Sequence, residues 1–207
     1  MSPLVLLDYA SVLVFALTGA LVASRAQLDI VGFFFIACLT AVGGGTLRDV
    51  LLNRETVFWV AEPTYIAIAC TAALVVFFTA HLLESRYRAL IWLDSLALAV
   101  AVPAGVGVAI GMDQPAAIVL IMGMVTGCLG GLMRDVVCNE VPLVLKQGEL
   151  YASAAFAGAG AALIVRALGA DTLVMLAACA LLTWVLRAGS LAFGWRLPVY
   201  KSRPPRV

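Results

Sequence analysis

An arginine followed by an aspartate, placed just after glycines and deep inside an apolar stretch, occurs twice in this chain at one fixed spacing. The first copy is Gly43-Gly44-Gly45-Thr46-Leu47-Arg48-Asp49-Val50, and the second is Gly130-Gly131-Leu132-Met133-Arg134-Asp135-Val136. Arg48 and Arg134 stand 86 residues apart, as do Gly44 and Gly130, and Asn53 and Asn139. From Thr40 to Asn53, seven of fourteen positions are identical to those 86 residues later. Apolar matches arise by chance in such a composition, but two glycines, Arg-Asp and Asn in register do not. The chain is an internal repeat, and that constrains its fold before any single residue does.

The medium follows from composition. Of 207 residues, 64% are hydrophobic and 12% charged, about half the charge of an ordinary soluble domain. Several apolar runs reach the ~20 residues that cross a bilayer as a helix. The reading is an all-α polytopic membrane protein, one membrane domain over residues 1–207. No basic block interleaved with aromatics argues for nucleic acid. The five cysteines (Cys38, Cys70, Cys128, Cys138, Cys179) are odd in number, have no CxxC spacing and lie mostly in apolar runs, where cysteine acts as a small hydrophobe. The N-terminal run carries Asp8 and no preceding Lys or Arg, so it is expected to be a retained span and not a cleaved leader.

Seven spans are expected, near 4–23, 30–52, 65–83, 90–110, 116–137, 150–168 and 172–193, followed by a basic tail over 194–207. Repeat 1 covers about 4–84 and repeat 2 about 90–168. A three-span unit returns the chain to the opposite face, so the second copy is upside down relative to the first. Asp8 with Asp94, Gly19 with Gly105 and Tyr65 with Tyr151 extend the register. The seventh span has no partner. Loops on the N-terminal side hold only Arg54 and Arg166. The other side holds Arg25, Arg86, Arg88, Lys146, Arg196, Lys201, Arg203 and Arg206. That bias predicts an outside N-terminus and a cytoplasmic C-terminus.

Glycines at mid-membrane support two readings. Gly43, Gly44, Gly45, Gly130 and Gly131 can break spans 2 and 5 into kinked half-helices that line a cavity, or can let two helices pack closely; the doubled, inverted copies favour the break. Arg48 and Arg134 follow by four residues, about 6 Å along a helix, and inversion places them at different depths. Intramembrane charges usually face a bundle interior or a wet cavity. Adjacent helical residues point about 100° apart, so pairing across the repeats, Arg48 with Asp135 and Arg134 with Asp49, is the attractive arrangement. Static bridging of the repeats and gating of a polar path both remain open for these four residues. Thr40 and Thr126 can offer hydroxyls to such a path or bond back to their own helix. Asp8 and Asp94 read as helix-start charges, Arg187 as a snorkelling cation, and His81 as an interfacial residue. Lys201, Arg203 and Arg206 are a weak signal for anionic lipid. No HExxH, GxSxG or P-loop is present, no metal or cofactor is implied, and an enzyme is not expected.

A 3 + 3 + 1 inverted repeat with GGG-x-x-R-D in span 2 and GG-x-x-R-D in span 5 resembles the trimeric intracellular cation (TRIC) channel family in its prokaryotic form. The resemblance covers nearly the whole chain. It implies a homotrimer in the inner membrane, with one pore per subunit between kinked spans 2 and 5, conducting K⁺ and Na⁺. The residues that carry over are Gly43, Gly44, Gly45, Arg48 and Asp49, with Gly130, Gly131, Arg134 and Asp135; the second copy has Leu129 in place of the leading glycine. The alternative is a secondary transporter of a small polar solute such as glycine, since inverted repeats suit alternating access equally well.

Overall fold

The computed structural model describes residues 3–83 and 85–200; Glu84 and the tail cations Lys201, Arg203 and Arg206 lie outside the described residues. The described residues form a helical architecture: α1 (Pro3–Arg25), α2 (Ile30–Leu51), a short α3 (Phe58–Ala61), α4 (Thr64–Thr79, continued by a 3-10 turn Ala80–Leu82), α5 (Arg86–Gly111), α6 (Ala116–Val137), α7 (Ala152–Ala167) and α8 (Thr172–Phe193). Six of these are long and apolar enough to cross a membrane, and α7 is a shorter apolar helix. Its 16 residues span roughly 24 Å, because Leu150 and Tyr151 precede the helix and do not belong to it.

Local sequence explains the boundaries. Asp29 caps α2 by accepting from the Gly32 amide at 2.8 Å, and Asp171 caps α8 through Val174 at 2.9 Å. Both satisfy an amide that the helix leaves free. Among the described residues, four non-glycine residues take positive φ: Gln27, Asn53, Asp113 and Asn139. They are two pairs 86 residues apart, one closing α1 and α5, the other closing α2 and α6. Each reverses the chain after a span, with Asn and Asp among the side chains that tolerate the left-handed region best.

Two apolar clusters form the interior. One is built mainly from α1, α2 and α4, with Phe15, Phe33 and Val76 among its members; the other is built mainly from α5 to α8, with Val102, Val119 and Leu176. They meet where α2 and α6 pack directly together, with α1 against α5 beside them. All five cysteines are free thiols, although Cys38 and Cys70 bring α2 and α4 together with their sulfurs 3.8 Å apart.

The expected helix break is absent. Both α2 and α6 run as α-helix without interruption through Gly43–Gly45 and Gly130–Gly131. The glycines serve contact instead. A Cβ on Gly44 would collide with the main-chain carbonyl of Thr126, and one on Gly130 with that of Thr40. The pairing 44 with 126 and 130 with 40 rises on one helix as it falls on the other, so the two cross antiparallel. A second tier repeats the device. A Cβ on Gly19 of α1 would sit 2.7 Å from the Ile36 carbonyl oxygen and the Thr40 hydroxyl of α2. Gly105 of α5 likewise nests against Met122 and Thr126 of α6. With no hydrophobic drive between helices in lipid, this backbone-to-backbone approach is what joins them.

Candidate functional site

The glycine crossing sends each Arg-Asp pair to the opposite end of the interface. Arg48 and Arg134 lie one helical turn past Gly44 and Gly130, and both are completely buried. The Arg48 Nε donates to its neighbour Asp49 at 2.8 Å and its Nη1 to Asp8 at 3.1 Å. The second copy repeats this: Arg134 Nε to Asp135 at 2.8 Å and Nη1 to Asp94 at 2.9 Å, with a further bond from Nη1 to the Thr18 hydroxyl at 2.9 Å.

These bonds correct three expectations. The arginines do not pair across the repeats; each finds its acids within its own copy, and in both copies the distant acid lies 40 residues upstream. Neighbouring Arg and Asp do pair, because the long arginine side chain bends back on itself, which an argument from Cα directions alone misses. Asp8 and Asp94 are not free helix-start charges. Asp94 lies well inside α5, fully buried. A buried arginine without an acid would be prohibitive, and two acids in repeat register were the available signal for its partners.

Asp49 and Asp135 are occupied on both oxygens. Asp49 Oδ2 accepts from the Phe58 amide at 2.8 Å, and Asp135 Oδ2 from the Leu143 amide at 2.8 Å. Each aspartate thus orients its arginine with one oxygen and ties down the loop after its helix with the other. Arg54 adds a second cation to Asp49 at 3.1 Å. Thr40 and Thr126 hydroxyls donate back to Ile36 at 2.6 Å and Met122 at 2.7 Å, so of the two threonine readings the back-bond is present. Their oxygens still border a small cavity of ≈ 10 Å³ at the crossing, with Asp8, Ser11, Gly44 and Gly45 around it. That is room for about one water. Among the described residues, no cluster of acids, histidines or cysteines could hold a metal.

Arg187 was expected to snorkel. It is instead fully buried, with Nη1 on Glu149 at 2.8 Å and its guanidinium 4.9 Å from the centre of the Tyr151 ring. Tyr151 in turn donates to Asp94 Oδ2 at 2.7 Å. Nothing in the repeat pattern pointed to Arg187 or Glu149, which have no counterpart in repeat 1.

A sequence-family model described as "Glycine transporter" matches the chain twice, over residues 5–81 and 91–167, two ranges offset by the same 86 residues. The UPF0126 membrane protein of Vibrio cholerae is 36% identical over 205 residues, covering 96% of this chain and 83% of that protein. Among solved structures, the TRIC trimeric intracellular cation channel orthologue from Rhodobacter sphaeroides superposes with a TM-score of 0.90 at 39% identity, covering 94% of this chain and 100% of that one. The chain belongs to the prokaryotic TRIC channel family. A prokaryotic TRIC channel in 0.5 M KCl is also similar, with a TM-score of 0.85 at 25% identity, covering 94% of this chain and 98% of that chain. The description of the family model is a label and assigns no substrate to this TRIC-family member.

Proposed function

We propose that this protein is a channel for monovalent cations, K⁺ and Na⁺, with a path in each subunit between α2 and α6 and an arginine lock at either end. The observation that carries the reading is the pair of inverted Arg-Asp-Asp clusters, each around a fully buried arginine, one on each side of a glycine crossing that holds a small polar cavity. The Asp8 carboxylate and the hydroxyl residues Ser11, Thr40 and Thr126 line that cavity, a setting in which cations are favoured over anions. Each arginine keeps one Nη2 without a hydrogen-bond partner among the described residues. An unmet buried donor is costly, so these locks are poised and not saturated. In this reading the described conformation is non-conducting, and opening means withdrawal of the guanidinium from its two acids. The assembly is a homotrimer in the inner membrane, N-terminus outside and C-terminus cytoplasmic, with lipid as its other partner.

The test is single-channel recording of the purified protein in planar bilayers under a KCl gradient. Discrete openings that reverse near the K⁺ potential, altered by Arg48→Ala and by Arg134→Ala, are expected. Currents that reverse at the Cl⁻ potential, or silence combined with substrate-saturable uptake into vesicles, would overturn the channel reading.

A further inference from the structure

The two locks are built alike but closed differently. In the first, the Asp8 side chain is 14% exposed and borders the central cavity; in the second, Asp94 is fully sealed. The difference lies in the tyrosines that match across the repeat. Tyr65 stacks on Tyr9, ring centres 4.3 Å apart, and meets Phe58 edge-on at 4.9 Å; among the described residues it makes no hydrogen bond to Asp8. Tyr151 gives its hydroxyl to Asp94 Oδ2, the oxygen that Arg134 does not use.

Tyr151 is itself held from outside the repeat. Arg187 of α8 covers its ring while bonded to Glu149. The Leu150 amide donates to Ser190 of α8 at 3.1 Å, and the Ser190 hydroxyl donates to the Trp195 carbonyl at 2.9 Å. The chain after α8 folds back, with the Leu197 amide on the Gly148 carbonyl at 2.8 Å. So the segment 148–151 is clasped by the seventh span and by residues 195–197 beyond its C-terminal end. The first lock has no such helix.

We propose that Tyr151 is the latch of the Arg134 lock and that α8, acting through Arg187, holds the latch shut. The inference rests on the channel reading above. Tyr151 is a positioning residue: its hydroxyl keeps Asp94 turned toward Arg134, and it does not border the cavity at the crossing. Without that bond, a buried carboxylate oxygen loses its partner, and the closed arrangement loses stability relative to any state in which Asp94 reaches water. The unpaired seventh span thereby acquires a role, since it decides how firmly one of two otherwise equivalent locks stays closed.

Tyr151→Phe removes the hydroxyl and keeps the ring under Arg187. In bilayers its open probability should rise about tenfold, the effect of losing one hydrogen bond to a charged group, while unit conductance and reversal potential stay at wild-type values. Arg187→Met should shift gating the same way and Arg187→Lys less, whereas Tyr65→Phe should leave it unchanged. A conducting wild type with unaltered gating in Tyr151→Phe overturns the latch alone, as does a change in unit conductance, which would put the tyrosine in the path. If Tyr151→Phe cannot be purified folded, the partly exposed Glu149 supplies the variant: Glu149→Gln should raise open probability, and unchanged gating overturns the proposal. A wild type that passes no current removes the channel reading and the latch with it.

Discussion

Arg134→Met should be the most damaging single substitution in this protein, lowering its stability by about 3–5 kcal/mol, the usual loss when one partner of a buried ion pair is removed. The methionine fills much of the space but leaves Asp94 and Asp135 without their shared cation, both out of contact with solvent. The expected readout is a collapse of the monodisperse fraction in detergent and a large fall in the thermal midpoint, set against Arg88→Ala at an exposed site. The double variant Arg134→Met with Asp94→Asn should recover part of the loss. It removes one of the two stranded charges, and the asparagine carbonyl can still accept from Tyr151. If the double variant is no better than the single, the damage comes from lost packing and not from unpaired charge.

Gly44→Ala and Gly130→Ala come next. In each case the added methyl meets a main-chain carbonyl of the opposite helix, which cannot rotate away as a side chain can. The helices must part, at a cost of about 1–3 kcal/mol or more. Gly43→Ala is the internal control. Its methyl would meet the Met133 sulfur at 2.9 Å, the flexible end of an adaptable side chain, and alanine gains helix propensity over glycine by up to roughly 1 kcal/mol. Thermal unfolding should therefore separate position 43 from positions 44 and 130. Equal effects at all three would mean that the glycines act through backbone freedom and not through contact.

The fold was legible because its two determinants are written locally. Apolar runs long enough to span, and a motif repeated at 86 residues, sufficed for a helical bundle of two related halves, and the matched Gly19 and Gly105 proved to be contact points of the second tier. The function of the glycines was not legible in the same way. A glycine that permits a break and a glycine that permits contact look identical until the opposing helix is in place. The arginine pairing is hidden for a different reason: neighbouring helical residues point about 100° apart, yet a guanidinium on a long flexible stem turns back to the next residue. The register of Asp8 and Asp94 did hold the missing partners. Arg187, Glu149 and the clasp after α8 fall outside the repeat, so no pattern in the sequence could have tied them to Asp94. A charge-swap between Arg48 and Asp135 should accordingly rescue nothing, since the two do not touch.

One position of the repeat carries opposite charges in its two copies. Arg54 joins Asp49 at one end of the α2–α6 interface. Its equivalent 86 residues later is Glu140, which is bonded to Arg25 at 3.0 Å and leaves Asp135 with Arg134 alone. In the channel proposed above, the two mouths of the path along this interface would therefore present different potentials to an arriving cation, even though the locks behind them are copies. Entry from the two sides should not be equally fast, and in symmetric KCl the current at equal and opposite voltages should differ: the channel should rectify. Arg54→Glu, which gives both mouths the same charge at this position, should bring the two currents closer together.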